Sequence, residues 1–215
     1  SFEQVKNLSR KILPELRPDT EKARVALSPL ETADEGFMDA SRIQYVALAG
    51  NYKEAGFSYR GALRIFKTIM SYEYLWQNIR VKGGAYGCMC NFNRIGEGYL
   101  ISYRDPNLEK TIDVYEKVTE YLRNFEADDR DMNKYIIGTI SNIDRPMNPS
   151  AKGTRSMNLY MNHVTEEMIR KEREEILNAG QEEISHVSNL AHEHGKLADA
   201  LKGADAFIGV SRPGL

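Results

Sequence analysis

Arg80, Gly83, Gly84 and Tyr86 fall within one stretch, Tyr74 to Gly87, YLWQNIRVKGGAYG. Their types suit the binding of a carbonyl or carboxylate oxygen. A guanidinium is a permanently charged fork of N–H donors, and a phenol is a neutral O–H donor. Tyr74, Leu75, Trp76 and Ile79 carry a helix that the glycine pair must end, because paired glycines favour left-handed or extended backbone. Arg80 is thereby placed at or near a helix terminus, with Tyr86 just past a flexible bend. A purely structural account of the same residues stays open: a cation is favourable at a helix C-terminus, and a tyrosine beside a turn can simply pack.

Other chemistry finds less support. KGGAYG has neither the Walker nor the dinucleotide spacing, and it follows a helix where those motifs follow a strand. Cys88 and Cys90 are one residue apart and share a strand face, so a soft metal would need further ligands from elsewhere. They read as small core residues, and two cysteines make no secreted disulfide framework, which points to a reducing compartment. Three of the four histidines, His186, His192 and His194, lie close together, with His163 apart. Helical zinc pairs sit four residues apart, whereas His192 and His194 are two apart and diverge by about 200° around a helix. These histidines read as solvated or interhelical.

Acidic and basic residues nearly balance, for a net charge of −2, so bulk electrostatics point to neither nucleic acid nor an anionic membrane. No apolar run approaches the roughly 18 residues of a spanning helix. The chain starts inside a helix-like pattern without a methionine, and reads as a piece of a longer one.

The elements that must position Arg80 and Tyr86 follow from periodicity. Val5, Leu8, Ile12 and Leu13 predict a helix up to Pro14, followed by a connection to about Asp34. Ile43 to Ala49 is a continuous apolar run, predicting a strand buried on both faces and central in a sheet. From Tyr59 to Arg80 the positions Ala62, Phe66, Ile69, Tyr72, Trp76 and Ile79 predict one buried helical face. Gly87 to Asn93 and Tyr99 to Tyr103 alternate, predicting a hairpin.

Asp105-Pro106 predicts a helix cap, with an apolar stripe from Leu108 to Phe125 behind it. Further helices are predicted over 128–143, 148–161, 165–177 and 181–201, then a closing strand over Ala206–Val210. In the charged run after Thr165, Glu166 with Arg170 and Glu167 with Lys171 predict ion pairs on a water-facing side. Strands, a helical block and a closing strand give an α+β fold, a largely antiparallel sheet packed by several helices.

The stretch YLWQNIRVKGGAYG closely resembles the C-terminal half of peptidases of the insulinase (pitrilysin) family, in the branch of the presequence proteases and related bacterial zinc peptidases. The similarity continues through FMDASRIQYVALAGNY, SYRDPNLEKTIDVYE, IDRPMNPSAKGTRSM and FIGV, from about Phe37 to Val210. The resemblance implies a LuxS/MPP-like metallopeptidase domain, the last of four in a chain whose halves close around a chamber. On that basis residues 1–35 are a helix and connection from the preceding part, and 36–215 the domain itself.

The family holds zinc in its first domain through His-x-x-Glu-His and a distal Glu. This sequence has no His-x-x-Glu-His. The resemblance therefore implies zinc in the N-terminal half of the parent, no metal site here, and no activity for the fragment alone. It assigns Arg80 to a substrate backbone carbonyl and Tyr86 to the scissile carbonyl, with Gly83 and Gly84 bringing Tyr86 to the substrate. The implied partners are that N-terminal half and unfolded peptides, in a bacterial cytoplasm or an organellar matrix. Two other readings stand beside this one: a non-catalytic scaffold of the same fold, and a phosphate-ligand domain using the glycine bend.

Overall fold

The segments with strand periodicity pair into one antiparallel sheet. In the computed structural model, which describes residues 2–15, 34–37, 40–54 and 56–184, β1 (Gln44–Asn51), β2 (Gly87–Phe92) and β3 (Glu97–Asp105) lie in the order β1-β3-β2. β2 and β3 form the expected hairpin, with Cys88 opposite Ser102 and Cys90 opposite Leu100. At its turn the Asn93 carboxamide oxygen accepts from the Ile95 and Glu97 amides at 3.1 and 3.0 Å.

Among the described residues β1 is an edge strand rather than the central one, and Tyr45 on it is 47% exposed. Among the described residues the sheet is covered on one face, which buries Val46, Cys90, Leu100 and Ser102 while Tyr45 and Met89 stay exposed.

The central helix begins as α2 (Ala62–Ile69) and continues through two wide, π-type segments, Met70–Tyr74 and Trp76–Val81. Their width shows in the Leu75 amide donating to the Met70 carbonyl and the Lys82 amide to that of Gln77, five residues back in each case. Its buried residues are Ala62, Ile65, Phe66, Thr68, Ile69, Met70, Tyr74, Leu75 and Ile79. Tyr72 and Trp76, expected inside, are 63% and 40% exposed. Each wide turn takes an extra residue, so the buried stripe falls progressively behind a 3.6-residue count.

Phe66 meets Phe92 of β2 at 5.1 Å between ring centroids, joining helix to sheet. α2 also packs against α5 (Asp129–Ile143) and α7 (Glu166–Leu177). Gly61, just before α2, must be glycine, because a Cβ there would lie 2.7 Å from the Glu172 carbonyl oxygen. The Gly61 amide donates to the Glu175 carboxylate at 2.6 Å, which locks α7 onto the start of α2.

The apolar stripe from Leu108 is two helices, α3 (Glu109–Glu116) and α4 (Val118–Arg123), broken where Lys117 takes φ −80°, ψ 0°. Asp105 does not cap α3, which starts later, after Leu108; it ends β3 and is fully buried. α5, α6 (Pro149–Met161) and α7 are capped by Asp128, Asn148 and Thr165, each accepting from the amide three residues on.

The α7 ion pairs also differ from expectation. Neither Glu166–Arg170 nor Glu167–Lys171 forms among the described residues. Glu172 instead turns inward to Arg64 and Arg94, and Arg173 clasps Asp144, because tertiary partners outcompete weak pairs along one helix.

By contact density the chain divides into two units, Ser1–Leu30 and Glu31–Leu215. In the first, α1 (Phe2–Ile12) is amphipathic and none of its residues is buried. Residues 181–184 are helical. The rest of that expected helix, the expected strand Ala206–Val210, and His186, His192 and His194 lie outside the described residues. No helix among the described residues is long and apolar enough to cross a membrane. The fold is α+β, a small antiparallel sheet under a helical layer.

Candidate substrate-binding site

The end of the central helix presents Arg80. Its guanidinium carbon lies 4.0 Å from the centroid of the Trp76 ring, one helical turn earlier. Stacking of this kind holds an exposed guanidinium with about 0.5–1 kcal/mol. The wide winding that turns Trp76 outward therefore also supplies the platform for Arg80. The Arg80 guanidinium makes no hydrogen bond or ion pair with another described residue, so among these residues its donors are unspent.

The bend that follows is fixed by backbone geometry. Gly84 has φ +79°, in the left-handed region that side chains avoid. A Cβ on Gly83 would lie 2.5 Å from the Ile79 carbonyl oxygen. The Gly84 amide donates to Arg80 O at 3.0 Å, and the Ala85 amide to Ile79 O at 3.1 Å. Each bond spans one residue more than in the usual glycine-terminated helix end, as a widened helix requires.

Tyr86 emerges from this bend 61% exposed. Its amide donates to Arg104 O at 3.3 Å. Its ring meets Tyr103 edge-on, 5.5 Å between centroids at 61°, and the Arg104 guanidinium lies 5.5 Å from it. Two absences of bulk permit this. Tyr103 folds across Gly87, where a Cβ would lie 2.4 Å from its ring. Arg104 takes φ +48° within a bulge, where Tyr103 and Arg104 together face the single residue Tyr45. The Tyr86 hydroxyl has no partner among the described residues. Arg80 and Tyr86 are thus both held through their flat groups, with their polar ends unspent.

A buried polar corner carries the bend from beneath. Asp105 is fully buried; its carboxylate accepts from Ser102 Oγ at 2.6 Å, Thr111 Oγ1 at 2.7 Å and the Asn107 amide at 2.9 Å. The Asn107 side-chain amide in turn donates to the Gly83 carbonyl at 2.5 Å. Trp76, Tyr103, Arg104, Asp105 and Asn107 all shape the site without having been singled out for it in the sequence, where Asp105-Pro106 reads as a helix cap.

The thiols nearby are not nucleophiles. Burial pushes Cys88 up to about 11, with Cys90 adding to the rise and Arg80 opposing it; burial likewise takes Cys90 to about 11. Both stay protonated at neutral pH. Among the described residues no group of three or more His, Cys, Asp or Glu side chains is placed to hold a metal.

Comparison with known proteins gives the family and the fold. The family model of the PreP C-terminal domain matches residues 34–199. The chain is 48% identical over 151 residues to Protein HypA of Clostridium perfringens, covering 70% of this chain and 16% of that protein. It is 38% identical over 149 residues to Presequence protease 1, chloroplastic/mitochondrial, of Arabidopsis thaliana, covering 69% and 14%. The chain thus spans about one sixth of the length of these relatives.

Among solved structures, a protease from Helicobacter pylori shares the fold with TM-score 0.65 at 13% identity, covering 99% of this chain and 53% of that one. A peptidase M16 inactive domain from Pseudomonas fluorescens does so with TM-score 0.62 at 12% identity, covering 98% and 50%. Sequence family and fold agree: the chain belongs to the presequence-protease C-terminal domain family, a C-terminal, insulinase-type peptidase domain.

Proposed function

We infer that this chain forms the substrate-facing wall of a zinc metalloendopeptidase that cuts unfolded peptides inside a closed chamber. The N-terminal half of the same polypeptide would form the opposite wall. The observation that carries the reading is the pair Arg80 and Tyr86, each pinned by ring contacts and each with donors left for a ligand. Zinc would be held by the N-terminal half of the parent, in line with the family's His-x-x-Glu-His motif, which this sequence does not contain. The place of action would be a bacterial cytoplasm or an organellar matrix, in line with relatives from Clostridium perfringens and from the organelles of Arabidopsis thaliana.

The two side chains take different roles. Arg80, always charged, holds a backbone carbonyl of the bound peptide, an interaction present before reaction begins. Tyr86 points its hydroxyl at the carbonyl under attack, whose oxygen gains negative charge as the bond order falls. Gly83 and Gly84 set the direction in which Tyr86 leaves the helix. Because both residues come from one half of the parent, they meet the reacting bond only when the halves close, which ties closure to chemistry.

Arg80→Gln in the full-length parent tests the binding role. It should lower kcat/KM for peptide hydrolysis by about tenfold to a hundredfold, mainly through a raised KM, as loss of a charged donor to a ground-state carbonyl predicts. Steady-state kinetics with unchanged kcat/KM would remove Arg80 from the site.

A further inference from the structure

A cavity of about 580 Å³ opens among α2, α5, α6 and α7, and neither Arg80 nor Tyr86 lines it. That volume lies within the range of small-molecule sites. Its wall is strongly cationic: Arg64, Lys67, Arg94, Arg145, Arg155 and Arg173 stand against only Asp144 and Glu172.

Both acids are already committed. Glu172 accepts from Arg64 Nε at 2.8 Å and pairs with Arg94. Asp144 receives both Nη groups of Arg173 at 2.7 Å. Those hydrogen bonds, with the added pull of Arg155, hold the Asp144 carboxyl below its ordinary range.

Three cations remain that meet only neutral oxygens among the described residues. Lys67 Nζ donates to Asn91 Oδ1 at 2.8 Å, Arg145 to Asn142 Oδ1 at 3.2 Å, and Arg155 to the Ile143 carbonyl at 3.5 Å. They come from three different places in the fold: α2, the turn after α5, and α6. Burial pushes the Lys67 ammonium down, and the neighbouring Arg64 charge adds to the fall. A concave wall of one sign concentrates counter-ions, and guanidinium forks match the paired oxygens of phosphoryl and carboxylate groups. Ile143, Leu159, Val164 and Ile169 give the same cavity an apolar part, which leaves room for the body of such a molecule.

We propose that this cavity binds a small multivalent oxyanion, phosphoryl or polycarboxylate, through Lys67, Arg145 and Arg155. This moves the phosphate reading away from the glycine bend to a place where, among the described residues, cations outnumber acids and three of them hydrogen-bond only neutral oxygens, and it does not depend on the peptidase role of Arg80 and Tyr86.

The test is isothermal titration of the full-length parent with inorganic pyrophosphate and, separately, citrate. Physiological ionic strength is used, where attraction to exposed charges is screened over about 8 Å. The expected result is saturable binding of at least one anion at one site. The stronger of the two identifies the class, phosphoryl or polycarboxylate. Replacing Arg145 and Arg155 together by alanine should weaken binding at least about tenfold, as loss of charge-assisted hydrogen bonds does. Should the double variant fail to fold, Arg145→Gln alone, at an exposed position, should still weaken binding measurably. Absence of saturable binding of both anions, or affinity unchanged in a folded variant, overturns the site.

Discussion

Replacing Tyr86 by phenylalanine in the full-length parent is expected to lower kcat for peptide hydrolysis by about 10²–10³-fold, the usual effect of removing one oxyanion donor. KM should barely move, because the hydroxyl acts on charge that appears only during the reaction. The substitution suits the purpose because the ring is kept: the edge contact with Tyr103 at 5.5 Å and the Arg104 contact at 5.5 Å need no hydroxyl.

Tyr86 is also 61% exposed with no hydroxyl partner among the described residues, so stability should change by no more than about 0.5 kcal/mol. Turnover and thermal melting measured side by side separate the two effects. Undiminished kcat in a folded variant would exclude Tyr86 from the reacting centre. A large loss with Tyr86→Phe and a modest, KM-dominated loss with Arg80→Gln would assign transition-state and ground-state roles to two residues six positions apart.

Asp105→Ala is expected to have the largest effect on stability. The carboxylate is fully buried and receives Ser102, Thr111 and the Asn107 amide. Alanine would leave three buried or half-buried donors without an acceptor, a loss of about 3–5 kcal/mol in the range of broken buried networks. Asp105→Asn keeps the shape and one acceptor oxygen, so it should cost clearly less. Urea denaturation of the chain, read as the midpoint at constant slope, measures both. An alanine variant as stable as the parent sequence would show that the corner is dispensable.

Asn107→Ala separates support from folding. It removes the donor to the Gly83 carbonyl while leaving Asp105 with its two hydroxyl partners. Its effect should therefore fall on turnover more than on the denaturation midpoint.

The site and its supports were legible to different degrees, for physical reasons. Arg80, Gly83, Gly84 and Tyr86 stand out because a glycine pair after an aromatic helix is a local signal, and φ +79° at Gly84 is what such a signal means. Trp76 was misplaced because periodicity assumes 3.6 residues per turn, and nothing local announces that Met70–Tyr74 and Trp76–Val81 wind wider. Asp105 followed by proline resembles a helix cap, but its partners Ser102 and Thr111 are set by tertiary packing, which overrides the local preference.

Glu172 sits in a run that looks solvated, and only the approach of α2 brings Arg64 to it. β1 reads as buried on both faces because its run is continuously apolar, yet the described sheet covers one face only. Most helices and the hairpin were legible because their caps and alternation are local; the layer arrangement was not.

The wide helix has a consequence for how relatives of this domain diverge. Each wide turn absorbs one extra residue, so if Met70–Tyr74 wound at the ordinary 3.6 residues per turn with the same sequence, Trp76 and Arg80 would together turn by about one residue's rotation, about 100°, relative to the core. The motif RVKGGAY would survive intact in an alignment while its arginine, still stacked on Trp76, faced another way. How this helix winds, and not the letters of the motif alone, therefore decides where the arginine of a relative points.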